Sequence, residues 1–152
     1  SGPEPQRTML EKILLHQLSR TSLRTLLVRG KASKPERISG NLEIRGLLKS
    51  KELEKAIVNS NLVICRSGYS SVMDLVRLNQ KALLIPTPGQ TEQELLGERL
   101  QRMGYFFCKQ QNQLHIPEDI KTAQCYVPPL EKNPLQSERV IRSLEKRMKG
   151  IT

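Results

Sequence analysis

The chain has 152 residues and a formal net charge of +10, and its hydrophobic fraction of 37% is not that of a disordered chain and fits one domain with a sizeable core. No apolar run approaches the about 20 residues that a membrane-spanning helix needs. The positive charge indicates an anionic partner. Aromatic residues are only 3%, which leaves few side chains on which bases could stack, so nucleic acid is not expected as the partner.

Short apolar runs alternate with amphipathic patterns along the whole chain. The first helix is predicted to begin after Pro5, because apolar residues then recur at helical spacing as far as Leu18. The polar segment 31–40 is predicted to be a loop. Strands are predicted over residues 25–30, 41–46, 61–65, 81–86 and 105–108, and further helices over residues 49–60, 70–78, 91–104, 117–122 and 137–149.

The side-chain pattern predicts which face of two helices is buried. The helix over 49–60 is expected to direct Leu53, Ala56 and Ile57 inward, and the helix over 70–78 is expected to do the same with Val72, Leu75 and Val76.

The helix over 91–104 has the clearest signals at its ends. Thr91 and Glu94 have the spacing of a capping box, and Gly104 is a natural stop. Gly97, inside this helix, is best explained by close packing against a neighbouring element.

Strands that are continuous apolar runs and alternate with helices indicate a parallel sheet covered on both faces, that is, a Rossmann-like α/β fold. Ligands of such sheets bind at the carboxyl ends of the strands. Two loops at such ends are rich in polar residues, at 65–74 and at 85–94.

The first loop reads CRSGYSSVMD. Gly68 allows a tight turn, and the amides that follow it open a helix, where an anion is favoured. Ser70 and Asp74 share one helix face, which suits the paired hydroxyls of a ribose. In the alternative interpretation, Ser71 and Asp74 only cap the helix.

The second loop reads IPTPGQTEQE. Its amides, Gln90 and Gln93, can both donate and accept hydrogen bonds, which suits sugar hydroxyls. The alternative is an ordinary polar loop followed by a capped helix.

Together, CRSG, the acidic residue six positions after its Gly, and the strand ALLIP with its Gln-bearing loop resemble the C-terminal, donor-binding domain of GT-B glycosyltransferases. The likeness is greatest to the branch with the bacterial lipid II-forming N-acetylglucosaminyltransferases, and it is best over residues 47–107. It implies transfer of an N-acetylhexosamine or hexose from a UDP-sugar to an acceptor hydroxyl, in the assembly of a bacterial envelope glycan.

The resemblance also implies roles for single residues. Asp74 matches the acidic residue, Glu in the family, that binds the ribose hydroxyls. Arg66, Ser67 and Gly68 match the turn that faces the phosphates and the sugar. Gln93 matches a sugar-binding Gln.

Other positions match the family less closely. Gln90 lies in the same loop as Gln93, and Leu47 falls near the backbone that reads the uracil. The family has a glycine-rich diphosphate loop where this chain retains Gly2, and Gln6 and Arg7 are expected to compensate for Pro3 and Glu4 there.

The resemblance further implies that residues 1–135 form the nucleotide-sugar binding domain and 136–152 a helix packed on it or across to a second domain. The chain begins at the diphosphate loop without a Met, so the first strand and the acceptor domain, which supplies the catalytic base, are expected to be absent. No catalytic residue is assigned. Open strand edges then predict self-association.

No cofactor or metal is expected, because such sites stabilise the leaving diphosphate with helix dipoles and side chains. The histidines also lack ligand spacing with the cysteines. Three widely spaced cysteines predict a reducing compartment, here the cytoplasm. The resemblance implies a place peripheral to the inner face of the membrane and a glycan or lipid-linked acceptor. Two alternatives stay open: a nucleotide-sugar epimerase or hydrolase of the same fold, and a basic module that binds nucleic acid or membrane.

Overall fold

The computed structural model describes residues 2–32, 34–129 and the single positions 142, 143 and 146. The predicted C-terminal helix over 137–149 and the 136–152 boundary therefore lie almost wholly outside the described residues. The helices are α1 Gln6–Leu18, α2 Ser50–Val58, α3 Tyr69–Arg77, α4 Thr91–Arg102 and α5 Ile116–Gln124. The strands are β1 Thr25–Val28, β2 Glu36–Ser39, β3 Leu42–Arg45, β4 Val63–Cys65, β5 Ala82–Leu84 and β6 Phe107–Cys108.

The strands form two three-stranded sheets, in the orders β1-β3-β2 and β4-β5-β6. Every pairing is parallel except that of β2 with β3. The prediction of a loop over 31–40 is wrong, because β2 lies in that segment. The run ERIS carries a Pro and a Lys just before it, which made it look like a loop, but β2 pairs antiparallel with β3 as a short edge strand.

β1 is an edge strand of one sheet and β4 an edge strand of the other, and each is paired on one side only among the described residues. A doubly wound sheet places its first strand in the centre, between the second and the fourth. β1 and β3 take the second and third places here, and β4, β5 and β6 take the places that follow the centre. No strand of the described residues fills the central place.

Both faces of the β4-β5-β6 sheet are covered by helices, as the continuous apolar runs predict. Leu83 and Ile85 point to the side of α1 and α5, and Ala82 and Leu84 point to the side of α3 and α4. The α3 and α4 side includes the predicted inward residues of α3, which are all buried: Val72, Leu75 and Val76.

Two local predictions are wrong. The α2 helix has no fully buried residue, and the inward place predicted for Leu53 is wrong because Leu53 is 39% exposed, whereas Ala56 and Ile57 are half-buried on the predicted face. The α4 helix has no capping box of Thr91 and Glu94, because its N-cap is Gln90 and the Glu94 carboxylate accepts the Gly89 N–H at 3.3 Å.

Candidate functional site at the carboxyl ends of β4 and β5

The two polar loops that follow β4 and β5 are joined into one unit. The Ser67 hydroxyl is fully buried and donates to the backbone oxygen of Gln93 at 2.8 Å. The predicted residues Ser67 and Gln93 therefore lie together, although 26 positions separate them in the chain. Ser67 contributes to this site by fixing the loops rather than by exposing its hydroxyl.

Arg66 is a buried cation, only 3% exposed, at the centre of this unit. Its guanidinium donates to the backbone oxygens of Pro86 at 3.1 Å and Gln6 at 2.9 Å, and to Gln111 Oε1 at 2.7 Å. Burial lowers the pKa of Arg66. None of these acceptors is a carboxylate, so the positive charge stays available to attract an anion to the loops.

One polar atom of Arg66, Nε, has no hydrogen-bond partner in the described part of the chain, and Thr87 Oγ1 shares this property. Both atoms lie 3.6 Å from the place that a Cβ would take on Gly2, whose φ is +110°. The structure thus brings the predicted Gly2 to Arg66. Sequence reasoning missed Thr87, for which the signal was its place directly after Ile85-Pro86 at the end of a buried strand.

The start of α1 is neutralised from within the chain. The Glu4 carboxylate accepts the Thr8 N–H at 3.3 Å and the Arg7 guanidinium at 2.6 Å, and the pKa of Glu4 is lowered by hydrogen bonding to Thr8, chiefly to its side chain, and then to Arg7. The Gln6 side chain accepts from Gln111 Nε2 at 3.0 Å. Gln6 therefore lies in the Arg66 network, whereas Arg7 is engaged with Glu4, so an anion gains little at this helix end.

The start of α3 is different. Its N-cap is Gly68, no side chain caps it, and its first turn has no acidic residue. By contrast, a carboxylate accepts a backbone N–H at the start of the other helices that follow loops, namely Glu52 in α2, Glu94 in α4 and Asp119 in α5. The capping interpretation of Ser71 and Asp74 is therefore wrong, and among the described residues no acidic side chain offsets the positive end of the α3 dipole, which favours an anion.

Asp74 lies on the surface of α3, one turn from this open end, and Ser70 is exposed beside it. Within the ranges that the structure describes, the Asp74 carboxylate makes no hydrogen bond or ion pair. The two oxygens of the Asp74 carboxylate are therefore available, as far as the described residues go, to accept hydrogen bonds from a pair of neighbouring hydroxyls.

Gln93 and Gln90 contact each other in the second loop. Gln93 Oε1 accepts the Thr87 N–H at 3.0 Å, and Gln93 Nε2 donates to Gln90 Oε1. Leu47 follows β3, which belongs to the other three-stranded sheet, and is 71% exposed, so its place near the uracil stays a prediction.

The described residues hold no group of three or more His, Cys, Asp or Glu side chains that could bind a metal ion. Burial raises the pKa of Cys65 and of Cys108 to about 12, so these two thiols stay protonated near neutral pH and are poor nucleophiles. No described helix is both long and apolar enough to cross a membrane.

The fold and this site define a Rossmann-like α/β domain of the kind that forms half of a GT-B enzyme. The sequence matches the profile of the glycosyltransferase family 28 C-terminal domain over residues 8–147, and the chain belongs to that family. The resemblance derived from the two loops is thereby confirmed. No match was found among curated proteins.

A crystal structure of MurG from Acinetobacter baumannii has a similar fold, with a TM-score of 0.56 and 16% sequence identity. The match covers 91% of this chain and 46% of the MurG chain. The chain therefore spans about half the length of that protein.

Proposed function

We propose that this chain is the donor-binding domain of a glycosyltransferase that takes its sugar from a UDP-sugar. The observation that carries the proposal is the start of α3, where no described residue supplies a carboxylate or a side-chain cap, with the Asp74 carboxylate, which has no partner among the described residues, about one turn away. Family membership supports the glycosyltransferase class.

The geometry of the loops fits each part of a nucleoside diphosphate. The backbone N–H groups that follow Gly68 donate hydrogen bonds to the diphosphate at the positive end of α3, and the buried charge of Arg66 reinforces the attraction. Asp74 accepts hydrogen bonds from the ribose hydroxyls. The amides of Gln90 and Gln93 face the sugar from the second loop.

In the proposed reaction, an acceptor hydroxyl attacks the anomeric carbon of the sugar, the bond from that carbon to the diphosphate breaks, and UDP leaves. The chain contributes by holding the donor in place and by stabilising the negative charge that grows on the leaving diphosphate. The base that removes the hydroxyl proton is proposed to come from outside this chain.

The remaining features of the protein are proposals of the same kind. The donor is the only small ligand required, with no metal or cofactor, and the acceptor is a glycan or a lipid-linked glycan bound through a second domain. The charge of +10 would then attract an anionic acceptor to the inner face of the membrane, with the protein in the cytoplasm.

Calorimetric titration of the full-length protein with UDP, ADP and inorganic phosphate tests the proposal. We expect UDP to bind and ADP to bind more weakly, without added divalent metal. If no nucleotide binds, and the protein instead associates with DNA or anionic vesicles in a salt-sensitive way, the chain is a basic binding module and the proposal is wrong.

A further inference from the structure

Gln111 is a buried polar residue that lies outside both polar loops. It begins a short 3-10 helix, Gln111–Gln113, which follows β6, and it is only 4% exposed. A buried amide needs partners for its oxygen and for its nitrogen, because a buried polar group without a hydrogen bond costs stability. The partners of Gln111 therefore indicate what this residue does.

Both ends of the Gln111 side chain contact residues of the candidate site. The oxygen, Oε1, accepts from the Arg66 guanidinium at 2.7 Å, and the nitrogen, Nε2, donates to Gln6 Oε1 at 3.0 Å. Arg66 also donates to the backbone oxygen of Gln6 at 2.9 Å, which closes a ring of three hydrogen bonds. A guanidinium can only donate, so this contact fixes which end of the Gln111 amide is oxygen. The ring joins the start of α1, the end of β4 and the segment after β6.

The residue type at position 111 determines whether the charge of Arg66 is neutralised. Buried arginines are usually paired, because an unpaired charge is costly to bury. Within the described ranges, the acceptors of Arg66 are all neutral, namely backbone oxygens and the amide of Gln111. A glutamate at this position would have the same length and accept the same hydrogen bond, but it would cancel the charge. The amide holds the guanidinium and leaves its positive charge two residues before Gly68, the N-cap of α3.

We propose that Gln111 is a positioning residue for the phosphates of the donor. It holds Arg66 through a neutral oxygen, so that the charge of Arg66 acts on an anionic ligand instead of being cancelled inside the protein. The buried Arg66 Nε, which has no partner in the described part of the chain, shows that the guanidinium is not fully engaged by the fold. This inference rests on the proposed function, and it adds the segment after β6 to a site that the two loops otherwise form.

Gln111→Glu separates the charge from the hydrogen bond. The carboxylate still accepts from Arg66, and the Gln6 amide can rotate so that its nitrogen donates to the second carboxylate oxygen. We expect the free energy of unfolding to be no lower than that of the wild type, because a buried ion pair replaces an unpaired buried charge. The full-length variant should bind UDP about tenfold more weakly, since the ion pair cancels the attraction for the phosphates. Uridine, which has no phosphate, should bind as it does to the wild type.

Gln111→Met should give the opposite pattern. It has nearly the same length, but it removes the acceptor and leaves the charge of Arg66 in place. Stability should therefore fall, while the ratio of UDP affinity to uridine affinity stays that of the wild type. Gln113→Glu is the matched charge control, because Gln113 is exposed and lies in the same short helix, and it should alter neither property. Calorimetric titration measures UDP binding, displacement titration measures the weaker binding of uridine, and chemical denaturation measures stability.

The outcomes separate this inference from the function on which it rests. If the wild type binds UDP and Gln111→Glu keeps the wild-type ratio of UDP affinity to uridine affinity, the role of Gln111 is wrong and the donor-binding role stands. If Gln111→Glu fails to fold, or loses affinity for UDP and uridine in equal measure, Gln111 is only a structural residue and the inference is overturned. If the wild type binds no UDP, both fall.

Discussion

A Cβ on Gly97 would stand 2.4 Å from the sulfur of Cys108 and 3.5 Å from Pro86 Cγ. Gly97 therefore lets α4 lie directly on β6, which confirms the close packing expected from a glycine inside a helix. This contact also sets the distance of α4, and of Gln93 on its first turn, from the end of β5.

Gly97→Ala should destabilise the protein, although alanine is the better helix former. The added methyl group overlaps the sulfur, and overpacking of this kind costs about 1–3 kcal/mol, which exceeds the about 1 kcal/mol gained in helix propensity. Chemical denaturation measures the difference. Adding Cys108→Ala should restore much of the loss, and Gly40→Ala, where a Cβ meets nothing within 4 Å, should cost less.

The sequence predicted what depends on short-range patterns. The buried run around Ala82–Leu84 and the apolar face of α3 follow from the pattern of apolar residues. The strand ends at which a ligand is expected follow from the order of strands and helices. Most of the site's internal bonds could not be predicted in this way. The acceptors of Arg66 include a backbone oxygen 60 positions away and a side chain 45 positions away, and no local pattern specifies such partners.

The same limit explains the misjudged helix start at α4. The spacing of Thr91 and Glu94 fits a capping box, but the chain enters the helix from a loop in which Gln90 takes the N-cap place. Glu94 accepts the Gly89 N–H instead of bonding to the expected partner. The position of the loop in the folded chain therefore favours the Gln90 N-cap over a capping box of Thr91 and Glu94.

Asp74→Asn should reduce the affinity for UDP and leave stability almost unchanged. The substitution keeps the shape and one acceptor oxygen but removes the charge, and hydrogen bonds to a charged group are worth about 1.5–3 kcal/mol. We expect a loss of about ten- to a hundredfold in UDP affinity by calorimetric titration. Since Asp74 makes no contact within the described residues, melting should hardly shift.

Asp119→Asn is the matched control for Asp74. Asp119 is 4% exposed, and its carboxylate accepts the His115 N–H at 2.7 Å at the start of α5. This variant keeps an acceptor for the His115 N–H but removes the negative charge at the start of α5 and the ion pair with Lys109 at 3.8 Å, so it should lose about 0.3–1 kcal/mol of stability and keep its UDP affinity. Equal UDP affinity of Asp74→Asn and wild type would remove Asp74 from the site.

Stability should fall in alkaline solution because two thiols are kept neutral by burial. The pKa of both Cys65 and Cys108 is raised from an ordinary value of 9.0 to about 12, and in Cys108 the nearby Glu98 contributes. The unfolded chain releases these protons first. The stability is therefore complete below pH 9 and is lost between pH 9 and 12, at roughly 1 kcal/mol per pH unit for each thiol.

Denaturation of wild type and Cys65→Ala at pH 8 and at pH 10.5 tests this pH dependence, because lysines and tyrosines titrate equally in both proteins. We expect a smaller fall in stability for Cys65→Ala. Cys125→Ala, which changes an exposed thiol, should behave like the wild type. The same fall in all three proteins would contradict the role given to the buried thiols.

The 152-residue chain should self-associate through its open strand edges. β1 and β4 each pair on one side only in the part of the chain that the structure describes, and unpaired backbone groups on an edge recruit another strand. Leu26, in β1, is also 43% exposed. We expect dimers or larger species whose proportion grows with concentration in sedimentation velocity.

Leu26→Lys should weaken the association, since a charge protects an edge strand from pairing. Val127→Lys, at a residue that is 52% exposed and lies outside the strands, should not. A single monomeric species across the whole concentration series would show that these edges are protected in some other way.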